Sequence, residues 1–115
     1  MTITRYDPGQ RFCRAVAYNG VLYLAGFTAS DLSAGTTGQT EQILADIDAA
    51  LAKAGTSRAR LLTANIWLRD IADFAQMNAA WDAWVDPGNM PVRATVEARL
   101  AGDAYRVEIQ VTAAL

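Results

Sequence analysis

The chain has 115 residues, enough for one domain of ordinary size, so a single unit spanning 1–115 is expected. Its formal net charge of -2 comes with Lys and Arg scattered along the chain, which leaves no basic footprint for nucleic acid. Histidine is absent and cysteine occurs once, at Cys13, so a Ser-His-Asp or Cys-His nucleophile, an HExxH zinc site and a multi-cysteine metal site are all excluded within one chain.

Acid–base chemistry therefore falls to carboxylates, Tyr, Lys or Arg. Cys13 reads as a small strand residue, since a lone cysteine supports no disulfide framework. The N-terminus has no basic segment followed by an apolar one, and no apolar run approaches the roughly 18 residues of a membrane span. A cytoplasmic protein with neither nucleic-acid nor membrane partners is the expectation. With 52% hydrophobic residues in so short a chain, apolar surface is left over for a partner, and self-association is expected.

In chain order, Cys13 to Tyr18 and Val21 to Phe27 flank Asn19-Gly20, a dipeptide suited to the positive φ angles of a tight hairpin turn. Thr28 to Gly38, rich in Gly, Ser and Thr, reads as a loop. From Gln39 to Ala54 the residues Ile43, Leu44, Ile47, Ala50, Leu51 and Ala54 recur at helical spacing, and Gly55 is placed to stop the helix. Leu61 to Leu68 reads as a largely buried strand, although its Ala and Leu content leaves a helix open. Asp70 is placed as an N-cap for a second helix whose stripe is Phe74, Met77, Asn78, Trp81, Trp84 and Val85, ended by Pro87-Gly88. The aromatic members are expected in the core. Asn78 on that stripe needs partners, from a neighbouring strand or beside a pocket.

Two alternating segments close the chain. Val92 to Leu100 places Val92, Ala94, Val96 and Ala98 on one face and Arg93, Thr95, Glu97 and Arg99 on the other. Tyr105 to Ala113 sets Tyr105, Val107, Ile109, Val111 and Ala113 against Arg106, Glu108, Gln110 and Thr112. Joined by a turn at Ala101-Gly102, the two would form a hairpin with Thr95 opposite Glu108 and Arg93 diagonally beside it on one face. From periodicity alone that juxtaposition reads as a surface ion pair on a solvated sheet face, ahead of the alternative of a gap for a small ligand. The expected fold is α+β: hairpin, helix, strand, helix, hairpin, with both helices on the apolar face of one sheet.

Pro91-Val92-Arg93-Ala94-Thr95-Val96-Glu97 and Val107-Glu108-Ile109, with Arg93 and Glu108 fifteen residues apart, resemble the signature segments of the reactive-intermediate deaminase (Rid, YjgF-like) family. The likeness extends to Asn19-Gly20, Tyr23-Leu24-Ala25-Gly26, Asp46-Ile47 and Phe74 to Trp81, and so spans nearly the whole chain. Asn78 to Val85 and the Ala113-Ala114-Leu115 ending are most similar to the YoaB-like branch.

The resemblance implies a chorismate-mutase-like α+β fold assembled as a homotrimeric barrel, with ligand clefts between subunits. It also implies hydrolysis of 2-imino acids, tautomers of enamines, to 2-keto acids and ammonia without a metal or organic cofactor. On that basis Arg93 is expected to bind the substrate carboxylate through its planar fork, and Glu108 to orient and deprotonate the attacking water. Phe12, Gly26, Asn78 and Thr95 are expected to line the same cleft, with Gly26 allowing close backbone approach.

The chain departs from the main branch at three places: Phe12 stands where a tyrosine is usual, Thr95 where cysteine is common, and the loop after Gly26 is shorter. Two other functions stay open. One is a non-catalytic binder of small carboxylates at the same arginine. The other is an endoribonuclease or translation inhibitor, for which an acidic chain without histidine is poorly equipped.

Overall fold

The computed structural model covers residues 1–115 and contains one six-stranded mixed sheet with two α-helices on one face. The strands are β1 (Thr4–Pro8), β2 (Cys13–Tyr18), β3 (Val21–Leu24), β4 (Leu61–Leu68), β5 (Val92–Glu97) and β6 (Val107–Ala114). The helices are α1 (Thr36–Lys53) and α2 (Phe74–Trp84). The thinnest dimension is 20 Å, two layers, so nothing covers the second face of the sheet. No helix is long and apolar enough to cross a membrane.

Several expected elements form for the expected reasons. Asn19 (φ 52°) and Gly20 (φ 77°) adopt the left-handed conformations that turn β2 into β3. In α1, Ile43, Leu44, Ile47 and Leu51 point into the core. The helix ends in a Schellman arrangement: Gly55 (φ 85°) donates its N–H to Ala52 C=O (3.0 Å) and Thr56 donates to Leu51 C=O (3.0 Å). The helix begins at Thr36, before the expected Gln39, because Thr36, Gln39 and Thr40 are themselves buried. Asp70 caps as expected, accepting from the Ala72 N–H at 2.9 Å, but the turn it caps is a 3-10 segment, Ile71–Asp73, that leads into α2.

Two features depart from the sequence reading. The first is β1, an edge strand with an almost wholly exposed sequence, TRYDP, and hence no alternation for periodicity to detect. The second is the C-terminal hairpin, which does not form. The strand order is β1-β2-β3-β6-β4-β5: β5 runs parallel to β4 through the α2 crossover, and β6 lies antiparallel on the other side of β4. Residues 98–106 carry the chain past the end of β4 instead of closing a tight turn. Both strands also stop short of the expected turn, with β5 ending at Glu97 and not Leu100 and β6 beginning at Val107 and not Tyr105.

The facial assignment of β5 changes with it. Arg93 and Thr95 sit in register with the buried Ala64 and Ile66 of β4 and so face the helices, while Val92 (71% exposed) and Val96 (51%) lie on the open face. On β6, Val107, Ile109, Val111 and Ala113 are buried as expected. The pairings Glu108 with Trp67, and Trp67 with Val96, place all three on the open face.

The 98–106 segment is held by Gln39. This fully buried amide donates to Ala34 C=O and Ala104 C=O, both at 3.1 Å, and accepts from the Arg106 N–H at 3.0 Å. It thereby fastens the loop before α1 to the loop before β6. Gln39→Leu, of similar volume, strands these backbone groups and is expected to lower stability by about 2 kcal/mol. Urea unfolding of both proteins at one concentration, with unchanged m, checks this.

Candidate functional site

Arg93 emerges from β5 under α2, whose Phe74, Asn78 and Trp81, at spacings of four and three, form one stripe above it. The Asn78 side-chain oxygen accepts from an Arg93 guanidinium N–H at 2.8 Å. The guanidinium carbon lies 5.2 Å from the centre of the Trp81 ring and 5.7 Å from that of Phe74, within cation–π range. Asn78 thus meets both expectations, a strand partner and a pocket. Phe74 is 42% exposed, not in the core, while Trp81 is buried and serves core and arginine together. Asn78, Trp81, Asp82, Met90, Pro91 and Arg93 line a cavity of about 300 Å³.

Burial lowers the Arg93 proton affinity from its usual value, and the nearby Asp82 carboxylate opposes that shift. A guanidinium remains charged at neutral pH regardless. None of the three ion pairs in the chain involves Arg93 or Glu108. The cation is therefore oriented by an amide and two rings with no carboxylate bound to it.

Glu108 lies elsewhere. It shares a cavity of about 490 Å³ with Phe12, Cys13, Val16, Tyr23, Gly26 and Gln110, among others. Phe12, 62% exposed, projects from the turn between β1 and β2, and Gly26 follows the end of β3. A Cβ on Gly26 would overlap a carboxylate oxygen of Glu108 and come within 3.0 Å of its carboxyl carbon. Only glycine leaves that carboxylate its seat.

Of the six site residues expected from sequence, the chain therefore brings Phe12, Gly26 and Glu108 together in one place, and Arg93 and Asn78 in another. Thr95 lies beside Arg93 on the helix-facing side of β5, where its hydroxyl is buried without a hydrogen-bond partner. Thr95 is not opposite Glu108, and Arg93 and Glu108 do not share a face: β4 lies between their strands, three residue positions separate them along it, and they project from opposite sides. Standard strand spacing puts their Cα atoms about 14 Å apart. Sequence reading missed Trp81, Met90 and Asp82 around Arg93, and Tyr23 and Gln110 around Glu108. The spacing of Trp81 from Asn78 was the available clue, read as core alone. No three His, Cys, Asp or Glu side chains converge as a metal site anywhere in the chain.

A two-layer α+β unit of this strand order, with an arginine pocket at its β5 edge and a glutamate pocket on its open face, is the class of protein defined by fold and site. The family model described as Endoribonuclease L-PSP matches residues 2–115, and the chain belongs to that family, also known as YjgF. RutC family protein YoaB of Escherichia coli K12 is 46% identical over 115 residues, covering both chains completely. A RutC family protein of Haemophilus ducreyi is 47% identical over 113 residues, covering 98% of this chain and 97% of its own. Among solved structures, a YjgF-family protein of Neisseria meningitidis superposes with a TM-score of 0.94 at 44% identity, covering 99% of this chain and 95% of the other. A Rid-family protein of Yersinia pestis gives 0.85 at 28% identity, covering 94% and 90%. These matches bear out the likeness to the Rid family and its YoaB-like branch.

Gly26→Ala is expected to fold, because the atoms in its way are the end of a flexible side chain, and to push the Glu108 carboxylate out of its seat. A crystal structure of the variant checks this. An unmoved carboxylate would show that the backbone yields instead.

Proposed function

We propose that this protein hydrolyses 2-imino acids, the tautomers of reactive enamines, to 2-keto acids and ammonia, in clefts formed where copies of the chain meet in a homotrimer. The observation that carries this reading is the state of Arg93: a buried-edge guanidinium, oriented by Asn78 and two aromatic rings, with no ion-pair partner in the chain. Such a fork is prepared for a bidentate carboxylate.

The division of the site supports the assembly. In one chain the Arg93 pocket and the Glu108 pocket cannot hold the same small molecule, whereas the Arg93 edge of one copy set against the Glu108 face of the next completes a cleft. The uncovered sheet face, with Trp67, Val92 and Val96 on it, supplies apolar surface for that contact.

In the completed cleft Arg93 fixes the substrate carboxylate and thereby the imine carbon. Glu108 orients a water, accepts a proton from it as the C–O bond forms and passes that proton to the imine nitrogen, giving the neutral carbinolamine; transfer of the carbinolamine hydroxyl proton through Glu108 to the amine then breaks the C–N bond, releasing ammonia and leaving the keto group. An imine is electrophilic enough to need no covalent nucleophile, which suits a chain without histidine. Gly26 and Thr95 offer backbone groups to the same cleft, and Phe12 closes its apolar side.

The test is ammonia and keto-acid release from enzymatically generated 2-iminopropanoate and 2-iminobutanoate, with sedimentation of each protein. Wild type is expected to sediment as a trimer and to exceed the spontaneous rate. Arg93→Ala is expected to lose kcat/KM by about 100-fold, the scale of removing one partner of a desolvated charge pair. Glu108→Gln is expected to lose about 100-fold in kcat while still binding 2-oxobutanoate, the scale of a lost general base. Binding of the keto acid without turnover by wild type would leave a carboxylate-binding protein as the better account.

A further inference from the structure

Gln110 stands next to Glu108 on the open face of β6 and has no part in the chemistry above. Between the pairs Tyr23–Thr112 and Phe27–Ile109, residues 24–26 face only residues 110 and 111, so the segment running from the end of β3 through Gly26 carries one extra residue, a β-bulge. Downstream the bulge is closed by Phe27 and Ile109, which exchange N–H to C=O bonds of 2.8 and 3.1 Å, and by Arg14, whose guanidinium carbon stacks 3.9 Å from the Phe27 ring centre. Upstream it is closed by the Tyr23–Thr112 pair, and the Gln110 side-chain amide reaches into the bulge itself, donating to Leu24 C=O at 3.1 Å. Inside the bulge, Gly26 keeps its N–H and C=O free of any partner in the chain and lies against the Glu108 carboxylate.

We infer that Gln110 is a positioning residue: its bond to Leu24 holds the bulge in the shape that aims the free Gly26 backbone groups into the cleft and seats the Glu108 carboxylate against them. Gln110 and Glu108 are successive residues on one face of the strand, roughly 7 Å apart, so one side chain sets the bulge while the other uses it. The inference rests on the deaminase reading and adds the residue that sets the geometry of its base. Without the Gln110 bond the bulge keeps its two flanking pairs and the Ala25 N–H bond to Arg14 C=O (2.9 Å) but loses the β6 side-chain contact to a residue inside it; Gly26 shifts, and the carboxylate loses the orientation a proton-transfer step requires, where displacements near 1 Å at reacting groups cost up to about 100-fold in rate. The Arg93 pocket lies on the other face and is untouched, so ground-state binding through the substrate carboxylate is preserved.

The experiment uses the full chain with Gln110→Met, which keeps the length of the side chain and removes the donor. Thr112→Val serves as the comparison. It breaks a different hydrogen bond on the same face of β6, the 2.6 Å contact between the Thr63 and Thr112 hydroxyls. Steady-state kinetics on 2-iminobutanoate, affinity for 2-oxobutanoate and sedimentation are measured for all three proteins. Gln110→Met is expected to lose kcat by about tenfold or more, with keto-acid affinity within about twofold of wild type and the assembly unchanged. Thr112→Val is expected to keep its kcat. An unchanged kcat in Gln110→Met would overturn the inference. So would equal kcat losses in the two variants, or loss of turnover, ligand binding and assembly together, since each would mark Gln110 as a structural residue of β6. A wild type that binds keto acid without turnover would instead overturn the deaminase reading, and this inference with it.

Discussion

The parallel pairing of β5 with β4, made through the α2 crossover, is the constraint from which the site's arrangement follows. It puts β5 at the sheet edge with Arg93 in register with Ala64, under α2, and turns Val92 and Val96 outward. The same pairing occupies one side of β4 and sends β6 to the other, where Glu108 falls in register with Trp67 on the open face. Had β5 and β6 paired directly, Arg93 and Glu108 would have been diagonal neighbours on one face, within reach of an ion pair inside one chain. With β4 between them the two charges are kept apart and each remains available to a ligand.

Holding an unpaired arginine in a partly buried place has an energetic cost, visible in the lowering of its proton affinity by burial. The chain offsets that cost with contacts that leave the fork open: one amide acceptor and two ring faces. A carboxylate partner from the chain itself would satisfy the charge better and would block the fork. Asp82 is near enough to favour the charged form electrostatically but forms no ion pair with Arg93. Glu108 is supported in a matching way, against the bare backbone of Gly26 and not against a cation.

Much of this was legible in the sequence, and what was not had physical causes. Periodicity located α1, α2, β2, β4 and the buried face of β6, because each buries one face and polar residues mark the other. It missed β1, whose residues are almost all exposed, and it inverted β5, where apolar residues lie on the open face and polar ones beneath a helix. Alternation reports two faces without saying which is inside, and an edge strand under a polar helix stripe reverses the usual sense. Strand partners were illegible for another reason. Two adjacent alternating segments look like a hairpin, and nothing local records that β4 must lie between them. Family resemblance picked out Arg93, Asn78, Gly26, Phe12 and Glu108, but the supporting contacts of Trp81 with Arg93 and of Gln110 with Leu24 needed coordinates, since each is a tertiary contact between different elements that no local pattern records.

The division of the site also limits how copies can associate if the two halves are to meet. A twofold dimer uses the same patch on both partners, so one contact would have to contain both the Arg93 pocket and the Glu108 pocket. These lie on opposite sides of a sheet in a slab 20 Å thick, and no single flat patch includes both. Contact between unlike patches is heterologous, and such contacts close into rings or propagate as filaments. Any closed ring would satisfy every patch and give one complete cleft per chain, and the proposed ring of three would do so with Trp67, Val92 and Val96 available for its contacts. Assembly and catalysis would then depend on the same surfaces, and a chain that fails to close its ring would hold the binding group and the base without ever presenting both to one substrate.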